Sequence, residues 1–176
     1  MIGEKLEIDD IDQQIIKLIQ DKPNITHTEI AKQVERSQPT VGMRIKRLED
    51  AGMLQFQAGL NLRAAQDFYL AKIELKTNNP QKVLEIVAKC HFMLNAFRLS
   101  GDFNVSIILA SRKLNTLDKI VNLYFRDNDI VLSVRMDIIN DVLDDFVLPI
   151  DMDFSECDCP LKELCMLTEE AVSKEE

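Results

Sequence analysis

Residues 26–54, THTEIAKQVERSQPTVGMRIKRLEDAGML, constrain this chain more tightly than any other stretch. Thr26 and Glu29 have the spacing of a capping box, in which each side chain accepts the other's backbone N–H at a helix start. Ile30, Ala31 and Val34 then lie inward on a short helix. A tight turn follows at Glu35 and Arg36. Ser37 caps the next helix, which tolerates Pro39 in its first turn. Val41, Ile45 and Leu48 set the buried face of that helix, and Gly52 is placed to end it, because glycine turns left-handed without steric cost. Upstream, Asp9 or Asp10 caps an earlier helix with Ile8, Ile11, Ile15, Leu18 and Ile19 at helical spacing, interrupted at Asp21, Lys22, Pro23 and Asn24. Three helices in this order predict a winged helix-turn-helix over residues 1–62.

Turning about 100° per residue away from the buried face places Thr40, Met43, Arg44 and Arg47 on an exposed flank of the third helix. Residues 36–47 hold four basic side chains, Arg36, Arg44, Lys46 and Arg47, and no acidic one. Arg44 and Arg47 have the reach to read guanine edges or to clamp phosphates. Ser37, Gln38 and Thr40 stand near the helix N-terminus, where base contacts begin. These residues, with Met43, are the expected contacts to double-stranded DNA. The competing reading is an amphipathic helix with a solvated basic face. The capped starts and the confinement of the charge run to one helix favour DNA.

The net charge of −9 needs an answer in that light. Residues 1–62 hold 8 Lys/Arg against 10 Asp/Glu, whereas residues 63–176 hold 13 against 20. The excess acid therefore lies mostly outside the basic run, and it weakens binding by an isolated protomer. A hydrophobic content of 46% and a charged content of 29% suit a chain that buries a core. No apolar run is long enough to span a membrane, and MIGEKLEIDD is too acidic for a signal peptide, so a cytoplasmic protein is expected.

Residues 63–67 read as a linker, after which the pattern changes to alternation. Tyr69, Ala71, Ile73 and Leu75 alternate with Lys72, Glu74 and Lys76, predicting a strand with one wet face. Pro80 opens a helix carrying Val83, Ile86, Val87 and Cys90. A strand over 92–100, a turn at Gly101 and Asp102, and a strand over 103–110 follow. Leu114, Leu117, Ile120, Val121 and Tyr124 predict a second helix. Ile130, Leu132, Val134, Met136 and Ile138 predict one face of a last strand. The order βαββαβ over residues 68–150 gives an α+β, ferredoxin-like domain: an antiparallel sheet with both helices on one side. The other face needs cover, with Tyr69, Ala71 or their opposite set as candidates, and a second copy in a two-fold dimer supplies it most simply. No nucleophile–base pair, phosphate loop or convergent carboxylate pair is visible, so the chain does not read as an enzyme.

A helix-turn-helix followed by βαββαβ resembles the Lrp/AsnC (feast/famine) family of transcription regulators. IDDIDQQIIKLIQ, TEIAKQV and SQPTVGMRIKRLEDAGML carry the resemblance, which covers about residues 6–145. It implies dimers built through the second domain, often assembled up to octamers, and promoter binding controlled by a small effector such as an amino acid. In such proteins the effector lies near the turn between the second and third strands, which here is Ser100, Gly101, Asp102, Phe103 and Asn104. Three departures stand out. Glu35 occupies the place of a customary glycine, Met43 that of a basic residue, and Asn104 that of an aspartate.

The resemblance does not reach the acidic tail, residues 151–176, which holds Cys157, Cys159 and Cys165. In a cytoplasmic chain, clustered cysteines favour metal or redox chemistry over a structural disulfide. Three thiolates leave a zinc or iron–sulfur site one ligand short, with Cys90, His91, Asp158 or a second protomer to complete it. A reversible thiol switch and an unreactive tail are the alternatives. Under the first two, the tail rather than the SGDFN turn would be the input to a DNA-binding regulator.

Overall fold

The computed structural model describes residues 7–65, 67–150 and 162. It divides into two compact units, Met1–Gln57 and Ala58–Glu176. The first unit holds α1 (Asp10–Asp21), α2 (His27–Gln33) and α3 (Gln38–Asp50). Asp9 is the cap of α1: its carboxylate accepts the Asp12 N–H at 2.8 Å, and Asp12 accepts the Asp9 N–H at 3.2 Å. Thr26 and Glu29 close the predicted box at α2, and the Ser37 hydroxyl accepts the Thr40 N–H at 3.3 Å at the start of α3. Ile15, Ile30, Val41 and Leu48 form the centre of a core completed by Ile19, Ala31, Val34, Ile45 and Leu54. Each isoleucine, leucine or valine among them contributes roughly 1.5–3 kcal/mol when fully buried.

The second unit is a four-stranded antiparallel sheet in the order β3-β4-β2-β5. Its strands are β2 (Tyr69–Thr77), β3 (Met93–Arg98), β4 (Val105–Ser111) and β5 (Val131–Ile139), with α4 (Pro80–Val87) and α5 (Leu114–Val121) as crossovers. Ala71, Ile73 and Leu75 lie opposite Leu109, Ile107 and Val105 and pack under Val83, Val87, Leu117, Ile120 and Phe125. Ala71 is therefore buried beneath the helices and cannot belong to the uncovered face. That face instead carries Lys72, Glu74, Ser106, Ile108, Phe97, Arg135 and Asp137. At one end it is roofed by the chain itself: Leu70 and Ala110 pack with Leu62, Phe68, Ile139, Phe146 and Leu148.

Several boundaries differ from expectation for identifiable reasons. The division between units falls at Gln57 rather than after residue 62, because β1 (Leu60–Asn61) pairs with β6 (Val147–Leu148) in the second unit. The fourth strand of the ferredoxin-like core does not keep one apolar face. A bulge opposite Lys76 and Thr77 lets Val131 take the inward place and turns Leu132 outward, leaving it 62% exposed. α4 ends before Cys90, and Phe103 belongs to a turn, since β4 starts at Val105. A single π-helical turn, Asn122–Arg126, extends α5 and buries Phe125.

Candidate nucleic-acid interface

The corner between α2 and α3 is built around Glu35, which takes φ = 52°, the left-handed conformation that glycine adopts most readily. The Arg36 N–H reaches back to the Ala31 carbonyl at 3.0 Å, closing the end of α2, and the Arg36 guanidinium donates to the Glu35 carbonyl at 2.9 Å. Gly52 ends α3 with the same geometry, φ = 67°, with the Met53 N–H on the Leu48 carbonyl at 2.9 Å. The C-terminal ends of α2 and α3 are thus both closed by backbone hydrogen bonds.

The flank expected to carry the reading side chains is split in two. Arg44 Nη1 donates to Asp9 Oδ2 at 2.7 Å and to Asp12 Oδ1 at 2.8 Å, and Arg47 donates to Asp12 Oδ2. Asp12 is completely buried, whereas the Arg44 side chain is 25% exposed and that of Arg47 46%. Arg44 therefore ties α3 to α1 and is not an outstretched reader. Its guanidinium is held charged by the two carboxylates, Asp9 first. Asp9 in turn sits below the ordinary carboxylate range, because it accepts the Asp12 N–H and lies beside Arg44. Arg47 reaches the same acid but keeps nearly half its surface in water.

What remains outermost on α3 is Gln38, Pro39, Met43, Lys46 and Arg47, all exposed. Thr40 is half-buried, and its hydroxyl shares a hydrogen bond with that of Ser37 at 2.7 Å. Arg36 is exposed beside the corner. The acids Glu49 and Asp50 lie at the C-terminal end of α3, so the stretch from Gln38 to Arg47 presents no acid. This is an arrangement that can be laid against an acidic polymer.

The sequence reading missed Asp12. The signal was there: a carboxylate spaced three and seven residues before Ile15 and Ile19, hence on the inward stripe of α1. A charge on an apolar stripe calls for a cation from a neighbouring element.

In the second unit the SGDFN turn splits as well. Ser100, Gly101 and Asp102 are exposed and Phe103 is half-buried. Asn104 is engaged on both sides of its amide: Oδ1 accepts the Thr77 N–H at 3.0 Å, and Nδ2 donates to the Thr77 carbonyl at 2.8 Å. Thr77, itself buried, donates its hydroxyl to the Ile130 carbonyl at 2.6 Å. Asn104 thus fastens the turn to the end of β2 and, through Thr77, to the entry of β5. A carboxylate in its place has no donor for the Thr77 carbonyl, so this amide serves the fold rather than an ammonium ligand.

Cys157, Cys159 and Cys165 lie outside the described residues. Cys90 is buried just past α4, where it lines a groove of about 610 Å³ along α4 and β3 with His91, Met93 and Asn95; residues 100–104 do not line it. Among the described residues, no three His, Cys, Asp or Glu side chains gather into a metal-sized cluster.

Residues 8–55 match the family model for winged helix-turn-helix DNA-binding domains. An uncharacterised HTH-type transcriptional regulator of Pyrococcus furiosus is 27% identical over 119 residues, spanning 66% of this chain and 80% of that protein. Among solved structures, AsnC of E. coli matches with a TM-score of 0.65 at 18% identity, over 78% of this chain and 95% of that one. A transcriptional regulator of Neisseria meningitidis, solved as a complex with L-Met, matches with a TM-score of 0.65 at 22% identity, over 81% and 97%. At such identities the structural likeness establishes the fold, and it spans both units.

Proposed function

We propose that this chain is a helix-turn-helix transcription regulator of the Lrp/AsnC type that lays α3 in the major groove of promoter DNA as part of a dimer or higher multimer. It is a DNA-binding regulator and not an enzyme. The observation that carries the groove assignment is the outer face of α3 from Gln38 to Arg47, which holds no acid, with Gln38, Lys46 and Arg47 exposed beyond a corner closed by backbone hydrogen bonds. Lys46 and Arg47 supply phosphate contacts, Gln38 meets base edges near the helix start, and Arg44 holds the helix at its angle. Arg36 and Ser37 complete the N-terminal approach to the backbone.

A homodimer supplies two copies of α3 for two half-sites and covers the sheet face opposite the helices, where Phe97 is exposed beside Ile108. Two or more protomers also offset the acidic balance of the chain, because their phosphate contacts act together. The effector is a small amino acid held near Ser100, Gly101 and Asp102, the exposed Asp102 carboxylate meeting its ammonium group. The L-Met complex of the Neisseria regulator supports this class of ligand. The protein acts in the cytoplasm, with its DNA; among the described residues no helix is long and apolar enough to cross a membrane.

Genome-wide mapping of bound sites, followed by binding of the purified chain to recovered fragments with and without each standard amino acid, tests the whole reading. Discrete promoter sites and an affinity that one amino acid changes are expected. Absence of site-specific binding under all conditions would overturn it.

A further inference from the structure

The centre of the outer face of α3 is apolar. Met43 is the most exposed hydrophobic side chain of the helix, at 68%, and Pro39, one turn before it, is exposed too. Its neighbours leave it standing alone: Gly42 has no side chain, Arg44 is folded onto Asp9 and Asp12, and the Thr40 hydroxyl is occupied by Ser37. Lys46 and Arg47, one turn further on, flank it with cations. A helix held in the groove by cations on either side would therefore press a thioether side chain, not a hydrogen-bonding one, against the base edges.

The major-groove edges of the four base pairs present donors and acceptors and a single apolar group, the C5-methyl of thymine. A buried methionine offers the polar edges only a weak acceptor, its sulfur, so the polar edges it covers are desolvated with little return. Against a thymine methyl it loses nothing and gains the burial of both surfaces. On the reading of α3 as the groove helix, we infer that Met43 is a specificity-determining residue that selects thymine, by its methyl group, within each half-site. Gln38, whose amide can pair with the N6 and N7 edge of adenine, stands five residues earlier on the same helix and favours the same kind of base pair.

The experiment uses duplexes recovered from a random-sequence pool by the full-length chain. In these, each thymine is replaced in turn by 2′-deoxyuridine, which removes the methyl and leaves base pairing intact. Binding of the wild type and of Met43→Ala is then measured. At one thymine per half-site the wild type should lose about three- to fivefold in affinity per methyl, the effect of burying one such group. Met43→Ala should bind both duplexes equally there, and Met43→Leu should restore most of the discrimination. Equal wild-type binding to every uridine-substituted duplex would overturn the inference while leaving DNA binding by α3 intact, as would an undiminished uridine penalty in Met43→Ala. Failure of the wild type to enrich any duplex would overturn the groove assignment itself and this inference with it.

Discussion

Glu35 occupies a conformation that costs a side-chain-bearing residue about 1–2 kcal/mol, and its side chain is exposed. Glu35→Gly should therefore stabilise the chain by about 0.5–1 kcal/mol, the strain relieved less the extra entropy of an unfolded glycine, as read by urea denaturation. No gain would mean that the corner does not carry the strain its φ implies. Arg44 makes the opposite case. Arg44→Ala leaves the buried Asp12 with Arg47 as its one remaining cation among the described residues, and should destabilise the chain by about 1–3 kcal/mol in thermal melts. Weaker DNA binding in that variant would follow from a loosened α3 and not from a lost base contact. Asn104 teaches the same lesson in the second unit: a residue that departs from the family pattern at the proposed effector turn is here a clasp between two pieces of backbone.

The elements themselves follow from short-range chemistry, which is why most of them could be read from the sequence. Ser37, Thr26 with Glu29, and Gly52 mark helix ends through bonds made within a few residues, and all three are made as expected. The Thr26 N–H, the Thr26 hydroxyl and Lys22 together hold the Glu29 carboxyl down from 4.5 to about 2. A carboxyl lowered on folding stabilises above its unfolded value and loses that contribution as pH falls. The melting temperature should thus drop between pH 4.5 and 2, and Glu29→Gln should flatten part of that drop; an unchanged profile would remove the box from the account. What the sequence hid depends on distant partners. The pairing of β1 with β6 joins residues more than eighty positions apart, and nothing local announces it. Its one local trace is Gly59, where a Cβ would fall 2.4 Å from the Leu148 backbone. Gly59→Ala should break this pairing and uncover the Leu62–Leu70 cluster, at a cost of about 1–3 kcal/mol in denaturant titrations. The bulge that turns out Leu132 was hidden for the same reason, since strand register is a property of two strands.

For the molecule as a whole, a net charge of −9 and a DNA-reading helix are reconciled by position and by number of copies. The cations that face outward on α3 are few, so one protomer alone binds weakly and with a shallow salt dependence, and tight binding rests on how many protomers act together. The SGDFN turn is the proposed input and α3 the output, and the central claim is that the outer face of α3, with Arg44 as its anchor, is what meets DNA. The most direct measurement is the affinity of Gln38→Ala with Lys46→Ala for duplexes recovered by the wild type, taken across a salt series beside a thermal melt. Both side chains are exposed, and neither pairs with the Asp9–Asp12 cluster. The account predicts an unchanged melt, affinity reduced about tenfold or more, and a shallower salt dependence by about one counterion per protomer. Wild-type affinity and an unchanged salt slope in this folded variant would contradict it.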